Sequence, residues 1–411
     1  MLSRVLSGVP NLWLDRGRVF RLSVNITHAR LAPMVVFLTS MQRRQHHALR
    51  CLLGALLLTA AAFSAAQTPA ASEDPPVPAA IIPKSPIRTQ PSVDIALVLP
   101  LDVPAYARAA DAVSAGFVAA ATGGQVTYVV IPHGEDGVLD AFEAARKAGA
   151  KVIVGPLLRD DLRVIAQASL ELPWTLALNQ AEDATTTPLR LYTFSLSVES
   201  DARTIARRMH NDAAQNVAIV GGESPQMKRI SGAFATEWLL EGGNAPSSYR
   251  FDPAPAALTI LKRDLGKSVP DAALLAIDGG DATLVKPFLG TVIAYASGLM
   301  FDQKAFASLR DLDGLAIVEI PWLVTPGAPE FARYPRRDYD SAALERLYAL
   351  GLDASRIAQA LVNGPPEQFV LEGATGHVML GEGRQFVREG RLAVYRAGQL
   401  VPLDGARDGV R

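Results

Sequence analysis

Lys151-Val152-Ile153-Val154-Gly155-Pro156-Leu157-Leu158 is the stretch whose reading decides the fold. Val152 to Val154 are three β-branched residues in a row, the mark of a strand buried on both faces. Gly155-Pro156 stops it, because proline has no N–H to donate and its φ is fixed. A helical pattern follows at once, with Asp160 and Asp161 in the first turn, where carboxylates suit the helix dipole. Strand, break and helix N-terminus together place this loop at the carboxyl edge of an α/β sheet, where open α/β folds bind ligands.

Working outward, Val93 to Pro100 is a second buried strand, 104–121 an Ala-rich helix, Gln125 to Ile131 a strand and 138–148 a helix closed by Gly149. Trp174 to Asn179 is a further strand. Strict alternation of strand and helix implies a parallel sheet of right-handed βαβ units. After the strand at 191–196 the pattern restarts. It gives a helix at 199–214, strand 217–222, helix 225–241, strand 247–251, helix 255–266, strand 272–278, helix 281–289 and strand 292–295. The expectation is two doubly wound α/β lobes joined by a hinge. Lobe one takes about 93–195 plus a long helix at 341–362. Lobe two takes about 196–320 plus the short alternating strands of 369–403, and 404–411 is a tail.

The N-terminus reads as an address. Basic residues from Met41 precede an apolar run, Cys51 to Ala66, that ends in small residues, the pattern of a secretory signal over 41–66. Residues 1–40 lack fold-like periodicity, and Met41 is the expected true start. Residues 67–92 hold seven prolines and read as an extended linker. The whole chain of 411 residues carries a formal charge of −1, but eight Arg against one Asp fall in 1–66. From residue 67 on, 32 basic face 40 acidic residues, a net −8 that argues against a nucleic-acid partner.

Chemistry is sparse. His133, His210 and His377 have no metal-ligand spacing, and Cys51 lies within the signal, so neither metal nor cofactor is expected. There is no G-x-S-x-G elbow, Walker loop or dinucleotide fingerprint, and no catalytic residue is assigned. The cleft candidates are Leu101, Gly155, Pro156, Leu157, Leu158, Asn179 and Gln180 on lobe one, with Glu223 and Asp278 opposite. Leu157 and Leu158 stand where a free amino acid would need hydroxyls for its carboxylate, which argues against a small-molecule ligand. A loop rich in Arg and aromatic residues, with Phe331, Arg333, Tyr334, Arg336 and Arg337, is the candidate partner surface.

Several stretches, taken in order, resemble one family. They are Ile95 to Leu101, Val154 to Leu158, Leu176 to Gln180, Asp311 to Gly314 with Pro321-Trp322, Arg346 to Ala354, Gly373 to Gly376 and Gly398 to Leu403. The pattern is similar to the C-terminal domain of the penicillin-binding protein activator family. That resemblance implies a type I periplasmic-binding-protein fold and a non-enzymatic regulator contacting a peptidoglycan synthase. The family's lipid-bearing Cys after the apolar segment has no counterpart, because no Cys follows Ala66. A periplasmic protein without a lipid anchor is therefore expected. The alternative is a solute receptor delivering an amino acid or peptide to a transporter.

Overall fold

The computed structural model describes residues 92–168, 170–180, 188–305 and 309–403. The expected signal at 41–66, the preceding 1–40, the linker up to residue 91 and the tail at 404–411 lie outside the described residues. Among the described residues no helix is long and apolar enough to cross a membrane.

The first half runs β1 (Ile95–Leu99), α1 (Ala107–Ala121), β2 (Tyr128–Pro132), α2 (Val138–Lys147), β3 (Val152–Val154), α3 (Arg159–Gln167), β4 (Trp174–Ala177) and β5 (Leu191–Phe194). The second half runs α4 (Val198–Asn211), β6 (Val217–Gly221), α5 (Pro225–Leu240), β7 (Ser247–Arg250), α6 (Pro255–Lys267), β8 (Ala272–Ala276), α7 (Gly279–Leu289), β9 (Ile293–Ser297) and β10 (Leu315–Glu319). It is followed by α8 (Pro321–Val324), α9 (Ala342–Leu361), β11 (Val370–Glu372), β12 (His377–Leu380), β13 (Gln385–Glu389), β14 (Arg391–Arg396) and β15 (Gln399–Pro402).

Two sheets result. One is ordered β11-β12-β13-β5-β4-β3-β1-β2, the other β15-β14-β10-β9-β8-β6-β7. The strand β1 shows why the central runs read as wholly apolar. Ile95, Leu97 and Leu99 enter one core with α1 and α9, while Ala96 and Val98 enter another with Phe142 of α2 and Leu162 of α3. Both faces are covered, so both phases of the two-residue period must be apolar. Lobe two repeats the plan, with Ile205 of α4 and Phe234 of α5 on one face, and Leu261 of α6 and Val285 of α7 on the other. The doubly wound, two-lobed reading is the observed fold.

The C-terminal strands divide differently from the expectation. β13 pairs in parallel with β5, and β12 and β11 follow it antiparallel, so 370–389 completes the first sheet. Only β14 and β15 join the second, beside β10. Short alternating strands show which face is buried but not which sheet edge receives them. The chain therefore passes between the sheets at 195–197, again after β10, and a third time at Gly390 between β13 and β14.

Close packing under the cleft depends on glycine. Gly155 has φ +120°, and a Cβ there would lie 2.2 Å from the Val98 carbonyl oxygen, so the break after β3 fits against β1 only without a side chain. Gly116 of α1 and Gly351 of α9 let those helices meet backbone to backbone, since a Cβ on Gly116 would stand 1.9 Å from the Tyr348 carbonyl oxygen.

Candidate functional site

The carboxyl edges of β3, β4 and β5 face the first turns of α4 and α5 across a cavity of about 210 Å³. Lobe one contributes Arg159, Asn179 and Gln180, the crossover contributes Ser195 and Ser197, and lobe two contributes Glu199, Gln226 and Arg229. Asn179 organises the lobe-one wall. Its Nδ2 donates to the Leu157 carbonyl at 2.9 Å, and its Oδ1 accepts from the Gln180 N–H at 2.9 Å and from Arg159 Nε at 3.3 Å.

The lobe-two wall is internally satisfied. Arg229 Nε donates to Glu199 Oε1 at 2.7 Å, and Ser197 Oγ donates to Glu199 Oε2 at 2.8 Å. Burial by itself would raise the Glu199 carboxyl. Ser197, the helix backbone and Arg229 together outweigh burial and hold it below its ordinary value. Glu199 is thus an ionised, engaged acid, unsuited to deliver or collect a proton near neutrality.

Other candidates from the sequence fall around this cavity rather than in it. Gly155, Pro156 and Leu157 are buried, with Leu157 in the lobe-one core, and Leu101 and Leu158 are half-buried. They support the edge on which Asn179 and Gln180 sit. Glu223 is exposed and paired with Lys228 at 2.9 Å and Arg250 at 3.5 Å, and Asp278 caps α7 by accepting the Asp281 N–H at 2.9 Å. Neither lines the cavity, because α4 enters straight from β5 and brings Glu199 to the place expected for them.

The aromatic-Arg loop is also reassigned in part. Phe331 and Tyr334 are buried with Trp322 and Tyr348 over α1 and α9, so they are core residues and not contact residues. Arg336 lies 3.4 Å above the Trp322 ring and donates to the carbonyls of Trp322 at 3.0 Å and Pro326 at 2.9 Å, which pins the loop. Arg337 sits 3.7 Å from Asp111 of α1. Arg333 is exposed and stacks on Tyr334.

A group of buried charges that no sequence motif marks lies between the lobes. Arg388 of β13 donates to Asp201 of α4 at 2.8 Å, and Ser297 of β9 donates to the same carboxylate at 2.5 Å. Arg346 of α9 grips Glu319 of β10 through Nε at 3.0 Å and Nη2 at 2.5 Å. All four charged side chains are at most 4% exposed. Burial pushes the Asp201 carboxyl up to about 6 against the opposing pull of Arg388 and Ser297. The signal was present in the alternation. Arg388 shares a strand face with buried Phe386, and Glu319 ends a fully buried run.

Comparison with known proteins adds family evidence to this geometry. The model for "LppC putative lipoprotein" matches residues 64–263. The penicillin-binding protein activator LpoA of Edwardsiella piscicida is 28% identical over 304 residues, 63% of this chain and 44% of that protein. The Haemophilus influenzae activator of the same name is 24% identical, over 71% of this chain and 52% of its own length. The described domain is LpoA-like. The LpoA C-domain from Haemophilus influenzae, described as a regulator of PBP1A, superposes with a TM-score of 0.66 at 22% identity, covering 75% of this chain and 99% of that one. A Chromobacterium violaceum structure described as "a putative branched-chain amino acid ABC transporter" has the same TM-score at 32% identity, covering 74% of this chain and all of that one. The LpoA-like chain spans about half the length of the curated relatives it matches.

Proposed function

We propose that this chain is a non-enzymatic, periplasmic regulator that binds a peptidoglycan synthase of the penicillin-binding class and stimulates its cross-linking activity. One observation carries the reading. Similarity to named penicillin-binding protein activators extends over 63% of this chain. The cavity supports a non-enzymatic role, since its one acid, Glu199, is engaged by both Arg229 and Ser197. An exported location follows from the signal pattern at 41–66. The test combines the purified chain with the bifunctional synthase of its own bacterium and lipid-linked precursor. Co-purification and a rise in cross-linked product are expected, and neither binding nor stimulation would overturn the proposal.

The second reading is a solute receptor, favoured by the 32% identity to the Chromobacterium violaceum structure. The lining weighs against it, because Arg159, Glu199, Gln226 and Arg229 leave little apolar wall for a branched aliphatic side chain. A thermal-shift screen of amino acids separates the two, since a ligand at 100 times its Kd adds about 2.7 kcal/mol of stability.

A further inference from the structure

We propose that the two lobes of this domain are locked at a fixed opening by the buried charges of Asp201, Arg388, Glu319 and Arg346, so that it works as a rigid platform and not as a closing trap. The inference is independent of which partner the domain binds. Each of the three crossovers carries one of these charges beside it. Asp201 lies in the first turn of α4, just beyond 195–197, Glu319 is the last residue of β10, and Arg388 stands two positions before Gly390. Both ion pairs run from one lobe to the other, Asp201 to Arg388 and Glu319 to Arg346.

Rotation about the crossovers would have to stretch these contacts or leave charges buried without partners, which is strongly unfavourable. The surroundings allow little slack. A Cβ on Gly298 would lie 2.6 Å from Glu319 Oε2, and one on Gly390 would lie 2.7 Å from Val318 Cγ1 and 3.1 Å from Arg388 Nη1. Ser200 Oγ donates to the Arg388 carbonyl at 2.5 Å, and the Ile320 N–H donates to Glu319 Oε1 at 2.9 Å, so backbone on each side is tied to the same group. Nearer the surface, Arg207 of α4 bridges Glu237 of lobe two at 2.7 Å and Glu389 of lobe one at 2.6 Å.

The experiment measures distances between spin labels in the full chain, with Cys51→Ser and labels at Asp160→Cys and Lys228→Cys, both exposed beside the cavity. A single narrow distance, unchanged by proteinogenic amino acids at saturating concentration, is expected. A broad or ligand-shifted distribution overturns the lock. The uncharged pair Asp201→Asn with Arg388→Gln, checked for folding by circular dichroism, should show a wider distribution. A folded double variant as narrow as the parent also overturns it. Ser297→Ala keeps both charges and removes only the hydroxyl that holds Asp201, so it decides the matter if the double variant does not fold. Widening supports the lock, and an unchanged width refutes it.

Discussion

Asp201 and Arg388, 187 positions apart in sequence, meet at 2.8 Å in a site where neither side chain is more than 1% exposed. Such a pair is costly to desolvate, and its removal is asymmetric in effect. Arg388→Met strands the carboxylate of Asp201 and should lower unfolding free energy by about 3–5 kcal/mol in denaturant titration. Asp201→Leu combined with Arg388→Met should cost less than the sum of the single changes, because the two residues are directly coupled. The penalty of Arg388→Met should also be smaller at pH 5 than at pH 8, since an Asp201 already pushed up to about 6 takes up a proton when its arginine is gone.

The loop from Pro326 to Tyr339 allows stability to be tested apart from the proposed partner contact. Phe331 and Tyr334 are buried, so Phe331→Ala should destabilise by about 3–5 kcal/mol in the same titration. Arg336→Ala removes a stacked cation and two hydrogen bonds to carbonyls, and about 1–2 kcal/mol should be lost. Arg333→Ala should leave the unfolding midpoint nearly unchanged, so weaker synthase binding by that variant would report the surface alone. A midpoint loss as large as that of Phe331→Ala would mean that Arg333 is structural.

Acid should loosen the start of lobe one through Asp94. Lys151 Nζ at 2.8 Å, then the backbone N–H and hydroxyl of Thr127 at 2.9 Å each, hold its carboxyl down to about 2 from an ordinary 3.8. Between those values the folded state keeps the carboxylate while the unfolded chain binds a proton. The contribution to stability is therefore full above the unfolded value and is lost as pH falls through about 2. Asp94→Asn should be less stable at pH 7 and should show a shallower loss between pH 4 and pH 2. Parallel acid limbs for parent and variant would contradict this.

What the sequence made legible follows from which patterns encode position. The strands β1, β3, β6 and β8 are covered on both faces, so their apolar runs could mean little else, and the helices between them were bounded to within a few residues. Assignment of β11 to β13 failed for the opposite reason, because their alternation names a buried face and leaves the sheet open. Asn179 and Gln180 were found at the cleft because they end a readable strand. Glu199 and Arg229 were not found, because on amphipathic helices a charge facing a cleft and a charge facing solvent look alike. Phe331 and Tyr334 were placed on the surface by the composition of their loop, which carries no information about what packs over α1 and α9.

Two glycines should respond differently to the same added methyl. Gly116 is helical, and its defect as alanine is overpacking alone. Gly116→Ala must push α1 away from the Tyr348 carbonyl and should cost about 1–3 kcal/mol. Gly155→Ala meets two penalties at once, a Cβ 2.2 Å from the Val98 carbonyl and a φ of +120° that L side chains rarely adopt. The second penalty adds about 1–3 kcal/mol, so Gly155→Ala should unfold at clearly lower denaturant than Gly116→Ala. Equal midpoints would mean that the loop after β3 relaxes freely, and that the edge carrying Asn179 is less firmly held than its contacts imply.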